Sequence, residues 1–257
     1  MVAIQFLASL LLGSAVIAAP SSTVRRAERA ARRGQPNIPA AASLTPAVSN
    51  SSNVGYSTNW AGAVWDSYPA GTFKSVTGTF KVPTPTGSSG SASAWVGIDG
   101  DTCGSAILQT GIDFTIDGGD VSYDAWYEWY PAVSTDFSGI SFSAGDSVTL
   151  TVTATSTKAG SAVIENNTTG KKVTKSLTSS SALCQQNAEW IVEDFEEGSS
   201  LVKFADFDEV VFTGATAKTI SGDSVGPSGA TLLDIKQSSK VLTSVSATTS
   251  GLTVKYV

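Results

Sequence analysis

From Val54 to the C-terminus the chain is written in alternation. Stretches such as SVTGTFKVP (75–83), DSVTLTVTATS (146–156), EVVFTGATA (209–217) and GLTVKYV (251–257) switch between polar and apolar or β-branched residues at almost every step. Gly and Ser clusters separate them, as in PTPTGSSGSAS (83–93). A period of two places successive side chains on opposite faces of a strand, so each such run buries one face and wets the other. No amphipathic pattern continues beyond two helical turns, and no repeat of fixed length is visible. Many strands separated by turn signals predict an all-β antiparallel β-sandwich or jelly roll.

The first fifty residues are of another kind. FLASLLLGSAVIAA (6–19) is an uncharged apolar run ending in small residues, the pattern of a signal peptide over residues 1–19. It is too short to span a bilayer comfortably, and no later stretch qualifies. The chain is therefore expected to be secreted, with no membrane partner. Residues 20–53 read as a basic propeptide and linker. All five arginines fall in VRRAERAARRG (24–34), which with Glu28 carries about +4. That segment could form a short helix, capped by Ser22 or Thr23 and ended by Gly34. Its Arg25-Arg26 and Arg32-Arg33 pairs would suit a dibasic processing protease. Residues 54–257 are read as one strand-rich domain, in which eleven lysines face 21 acidic residues, a net −10. A domain this acidic is a poor nucleic-acid binder and suits an acidic medium, where its self-repulsion fades.

What is missing narrows the chemistry. The chain has no His, so Ser–His and Cys–His nucleophiles are excluded. The two cysteines, Cys103 and Cys184, are expected to form a disulfide in an exported chain, closing a loop worth about 4 kcal/mol in the chain-entropy picture. Two cysteines without His make a poor zinc site, and no phosphate-cradling loop is present, so neither metal nor cofactor is expected. Carboxylates, amides, hydroxyls and aromatics remain, an inventory suited to acid–base work on a neutral polymer. Sequons occur at Asn50, Asn166 and Asn167.

Three stretches carry candidates. In SAILQTGIDF (105–114), Ala106, Leu108, Ile112 and Phe114 share one face, and Ile107, Gln109 and Asp113 the other. Gln is neither a base nor a good nucleophile, so a chemical task for Gln109 must be hydrogen bonding to a charge that develops during reaction. In AEWIVEDFEE (188–197), Ile191, Glu193 and Phe195 share a face. A carboxylate between apolar neighbours has its pKa pushed up from about 4.3, which suits a group that accepts and returns a proton. In DAWYEWYP (124–131), Trp126, Glu128 and Tyr130 share a face, and aromatics around a carboxylate suit a groove for an extended polymer. Trp60, and Trp95 with Gly97 and Asp99, are further candidate walls. The residues alone leave two other classes open: a carbohydrate-binding jelly roll, and a glycosidase pairing Glu128 with Glu193.

The motifs NWAGAV, WVGIDGDTCGSAILQTG, DAWYEWYP, AEWIVEDFEEG and FADFDEVVF, in this order over 54–257, resemble those of the fungal glutamic peptidases, the eqolisins. The resemblance implies a secreted, pepstatin-insensitive acid endopeptidase acting on protein or peptide substrates. Its fold would be a concanavalin-like sandwich of two antiparallel seven-stranded sheets. The family's catalytic Gln and Glu fall on Gln109 and Glu193, its disulfide on Cys103 and Cys184, and its cleft residues on Trp60, Trp95, Asp99, Asp113 and Glu128. The arginine-rich segment is likewise similar to the family's propeptide, an expected partner of the domain before activation. A monomer is the simplest expectation.

Overall fold

The structure, a computed structural model, describes residues 32–40 and 54–257. The predicted signal peptide, most of the basic segment and Asn50 lie outside the described residues.

Two large sheets face each other. The first runs in the order Lys171–Thr178, Ala159–Asn166, Ser147–Ser156, Phe73–Lys81, Glu209–Thr219, Gly251–Tyr256 and Thr243–Ala247, with the short Ser224–Val225 paired to Glu209–Thr219. The second runs Lys240–Val241, Thr231–Gln237, Trp60–Trp65, Ala188–Glu193, Ser89–Ile98, Ile107–Asp117, Asp120–Tyr130 and Thr135–Asp136, and Val54–Ser57 adds to it in parallel beside Thr231–Gln237. Among the described residues the sheets have, strictly counted, eight and nine strands. Three of these are two-residue ladders; without them each sheet has seven, the expected sandwich. Lys171, Lys172 and Lys175 line the outermost strand of the first sheet, charge that blunts edge-to-edge pairing.

The alternation read from the sequence sorts side chains as predicted. Val76, Phe80, Leu150, Val152 and Phe212 from the first sheet pack against Val96, Leu108, Ile112, Phe114, Trp190 and Val192 from the second. The opposite face of the second sheet is also buried. It carries a separate cluster of Trp60, Val64, Trp95, Ile107, Trp126, Ile191 and Leu233. Burial on both faces explains why its strands Ala188–Glu193 and Ile107–Asp117 read as near-continuous buried runs. The Cys103–Cys184 disulfide spans 81 positions and ties the loop after Ser89–Ile98 to the loop before Ala188–Glu193.

One expectation is corrected. Arg32–Arg33 do not end a helix; they are extended and pair with Glu196–Glu197, which in turn pair with Ser200–Leu201. The acidic sequence EDFEE offers a strand edge to the basic one, and the ladder overrides local helix propensity. The turn after Ala159–Asn166 separates the two neighbouring sequons. Asn166 is buried, its Nδ2 donating to Ser141 O at 3.1 Å and Asp146 Oδ2 at 3.0 Å, whereas Asn167 is exposed.

Candidate active site

Cross-strand register assembles the site. Glu193 lies opposite Trp60 on one side and Ser93 on the other, and Ser93 lies opposite Asp113. Four residues along, Glu189 pairs with Gly97, Gly97 with Gln109, and Gln109 with Glu128. Between these rows Ile191, Trp95, Gly111 and Trp126 align. Gly111 is what lets two indoles share that row: a Cβ there would come within 2.6 Å of Trp95 Cβ and 2.8 Å of Trp126 Cζ2. Trp60 meets Trp95 edge-on at 5.0 Å, so an aromatic floor separates the two polar rows.

The described part of the basic segment lies along this floor. Trp95 Nε1 donates to Glu193 Oε2 at 2.9 Å, and the Gln35 backbone N–H donates to Glu193 Oε1 at 3.0 Å. The Gly34 N–H donates to Glu128 Oε2 at 3.0 Å, and Trp60 Nε1 donates to Gln35 O at 3.0 Å. Both polar atoms of the Gln109 amide are buried and unpaired, and a Cβ added at Gly34 would collide with its Nε2. The peptide bond between Gly34 and Gln35 is thus bracketed by Gln109 and Glu193.

Arg32 fills an acidic aromatic pocket beside this bond. Its Nε lies 2.6 Å from Asp113 Oδ2, its Nη1 lies 3.6 Å from Glu128 Oε2, and its Nη2 donates to Ser93 Oγ at 3.2 Å. The guanidinium stacks 3.8 Å from the Trp126 ring centroid and 4.6 Å from that of Phe195. It is 2% exposed, so while seated it is not presented to a processing protease, contrary to the dibasic reading of Arg32-Arg33. Apart from the +4 charge, no sequence signal points to this role. Ser93 and Phe195 are pocket residues that the sequence reading does not single out, although Phe195 shares the predicted face of Glu193.

Of the residues singled out by sequence, Gln109, Glu193, Glu128, Asp113, Trp60 and Trp95 all touch or flank the segment. Asp99 stands apart. It sits in the left-handed region at φ 68°, past the end of its strand, and its carboxylate accepts the backbone N–H groups of Gln185 (2.8 Å), Gln186 (2.9 Å) and Asn187 (3.1 Å). It fixes the loop that carries Cys184.

Electrostatics follow burial. Desolvation raises Glu193 from its ordinary value to about 7, against the opposing pull of Arg32, the Gln35 N–H and Trp95. Burial also raises Asp113, outweighing the nearby Arg32 charge. Glu189, four residues before Glu193 on the same face, is fully buried with both oxygens unpaired. Burial lifts it well above the carboxylate range, and the charges of Asp99 and Asp101 add to the rise. Asp194 is raised by burial to about 7 and Asp234 to about 6.

These groups hold protons more tightly when folded than when unfolded. Their stability contribution is complete below about pH 4 and is lost as pH climbs toward the raised values, at about 1.4 kcal/mol per unit for each group. Glu189→Gln keeps the shape of the neutral acid. It is expected to leave the thermal midpoint at pH 3.5 near the parent's and to raise it at pH 7. A midpoint unchanged at pH 7 would show that Glu189 is not buried as an acid.

The chain matches the Peptidase A4 family over residues 58–256. It is 48% identical to aspergillopepsin-2 of Aspergillus niger, with 96% of each chain covered, and 46% identical to scytalidopepsin B of Scytalidium lignicola over 77% of this chain and 78% of the relative. A crystal structure of scytalido-glutamic peptidase with a transition-state analogue inhibitor superposes with a TM-score of 0.72 at 47% identity, covering 78% of this chain and 98% of that one. The aspergilloglutamic peptidase structure from Aspergillus niger superposes with a TM-score of 0.63 at 57% identity, covering 65% and 99%. With this match over most of its length, the chain is an enzyme, a hydrolase, and belongs to the Peptidase A4 (eqolisin) family of glutamic peptidases.

Proposed function

We propose that the protein is a secreted acid endopeptidase whose catalytic pair is Glu193 and Gln109, made with residues 1–19 as an export signal and 20–53 as a propeptide, and working as a monomer over 54–257. The observation that carries this reading is the Gly34–Gln35 bond, a peptide already lying between the two side chains. Family membership removes the lectin and glycosidase alternatives. Solved relatives that hold a transition-state analogue inhibitor or the tripeptide Ala-Ile-His support peptides as substrates here.

In the forward reaction Glu193, ionised, takes a proton from water as the oxygen attacks the carbonyl carbon. The carbonyl becomes an oxyanion and the carbon tetrahedral. Glu193 then returns the proton to the leaving nitrogen. The Gln35 N–H donates to Glu193 Oε1 at 3.0 Å, which puts the carboxyl within proton-transfer reach of the nitrogen that leaves. The buried, unpaired Gln109 amide is a preorganised donor for the oxyanion, worth about 3–4 kcal/mol in such sites. Because an amide does not titrate, it donates throughout the acid range. The rise to about 7 belongs to the state covered by the segment; with the segment gone and water in the cleft, Glu193 returns toward its ordinary 4.5, close enough to the acid working range to accept and release the proton readily. Trp60 and Trp95 hold the chain over the pair, and Asp113 and Glu128 receive a cationic side chain. Incubation of the mature enzyme with denatured casein at pH 3 is expected to release peptides equally with and without pepstatin; inert casein would overturn the assignment.

The segment's grip contains an ionic part and a part due to burial, which respond to acid in opposite senses. Protonating Asp113 weakens the attraction to Arg32, whereas a desolvated carboxyl is easier to cover when neutral. Comparing a synthetic 32–40 peptide with its Arg32→Ala version at two pH values isolates the ionic part, because the stacking on Trp126 and Phe195 is lost equally at both. The ratio of their inhibition constants on mature enzyme is expected to be large at pH 6. It should shrink as pH falls through the raised Asp113 value, above the ordinary 3.8, and level off by pH 3 at the part due to stacking. A ratio equal at pH 6 and pH 3 would remove the charge mechanism.

A further inference from the structure

Beyond the bracketed bond, the segment is held by its main chain. Gln35 O accepts from Trp60 Nε1, and the Asn37 N–H donates to Gly100 O at 2.9 Å. Asn59 makes two contacts with one side chain: its Nδ2 donates to Pro36 O at 3.2 Å and its Oδ1 accepts from the Ile38 N–H at 2.9 Å. A primary amide that meets the C=O of one residue and the N–H of the residue two further on stands in for a neighbouring β-strand. The amide is oriented by Ser57, whose hydroxyl also lies 3.2 Å from Ile38 O. Ser57 Oγ lies 3.0 Å from Asn59 Oδ1 as donor, and the same hydroxyl accepts the backbone N–H groups of Asn59 (3.2 Å) and Trp60 (3.0 Å). Asn59 O also accepts the N–H of Asp194, next to Glu193, at 2.9 Å, so the clamp is tied to the strand end that carries the base. The side chain of Ile38 meanwhile faces outward, 40% exposed. This end of the cleft therefore reads backbone and leaves that side chain free.

We infer that Asn59 is a positioning residue for the substrate. It grips the main chain of any extended polypeptide on the leaving-group side of the cleaved bond, at the carbonyl of the second residue and the amide of the fourth. Ser57 holds the clamp in its productive orientation. The favoured substrate class is unfolded polypeptide that continues at least four residues past the bond, with little selection of side chain at the fourth. This rests on the peptidase reading above and on the substrate following the path of residues 34–38.

The test compares two synthetic peptides with the same cleaved bond. One ends as an amide at the first residue beyond it; the other continues for four more. On the mature wild-type enzyme the long peptide is expected to have a KM about tenfold lower, the worth of two net hydrogen bonds. In Asn59→Ala that ratio should fall severalfold, keeping only the part due to the Asn37–Gly100 and Thr58–Ile38 main-chain bonds, and Ser57→Ala should reduce it partway. Asn59→Asp supplies a signature that a structural role does not. A protonated carboxyl donates and accepts as the amide does, whereas an ionised one only accepts, so the ratio should return at pH 3 and fall as pH rises and the buried group ionises. A wild-type ratio of one, or a ratio unchanged in Asn59→Ala and pH-independent in Asn59→Asp, would overturn the inference. Failure of the wild-type enzyme to cut either peptide would instead overturn the peptidase reading.

Discussion

Glu193→Gln is expected to lower kcat by about 10²–10⁴-fold, the worth of a positioned general base, while leaving the sandwich intact. The substitution is nearly isosteric at a fully buried position, and the amide oxygen can still accept the Trp95 indole N–H now at 2.9 Å. What the amide cannot do is take a proton from water. Its NH₂ group would also face the Gln35 N–H, donor against donor, so a synthetic 32–40 peptide should bind the variant more weakly than the parent. In the unprocessed chain, where the segment buries Glu193, the neutral amide also removes one of the raised carboxyls, so the variant should lose less thermal stability than the parent between pH 3.5 and pH 7. Loss of turnover together with this smaller loss of stability separates removal of the base from unfolding. A folded variant with near-normal kcat would take the base away from Glu193.

Much of this site is legible in the sequence because strands obey a period of two. Once Leu108, Ile112 and Phe114 are assigned to the core, Gln109 and Asp113 must face the other way. The same logic turns Glu193 away from Trp190 and Val192, and Glu128 away from Trp129. Asp99 shows where the rule stops. Parity places it with Trp95, but its strand ends at Ile98, and a left-handed backbone at Asp99 sends the carboxylate to three loop amides. Long-range pairing is the second limit. Nothing local in ARRGQP says that Arg32 stacks on the distant Trp126, or that Gly34 is needed for close approach to Gln109. Composition shows opposite charges on segment and domain, and only register shows which atoms meet. Glu189 escapes a sequence reading for a third reason: on a strand taken as half-buried, a carboxylate reads as ordinary surface until both faces of the sheet prove to be covered.

Gln109→Glu tests the other half of the pair, and it is expected to cost about 10²–10³-fold in kcat, the range found when one oxyanion donor is removed. The change swaps NH₂ for O at constant shape, so the volume filled at this buried position is kept. Two effects then add. Once ionised, the introduced carboxylate offers only lone pairs to a developing oxyanion, and repulsion replaces attraction. It also lies directly opposite Glu128 in the strand register, where a like charge is unfavourable. Both effects, and burial at a site with no exposure, push the new carboxyl's pKa upward. The loss should therefore depend on pH. In strong acid the new side chain is neutral and its O–H can donate, so part of the activity returns there, while the parent's Gln109 needs no such protonation. The ratio of parent to variant kcat should thus widen as pH rises from 3 to 6, with Glu193 unchanged in both. A flat ratio near one would mean that the oxyanion is stabilised by another donor and that the amide serves only to orient the peptide. A large but pH-independent ratio would show that shape, not donor capacity, is what the reaction requires at this position.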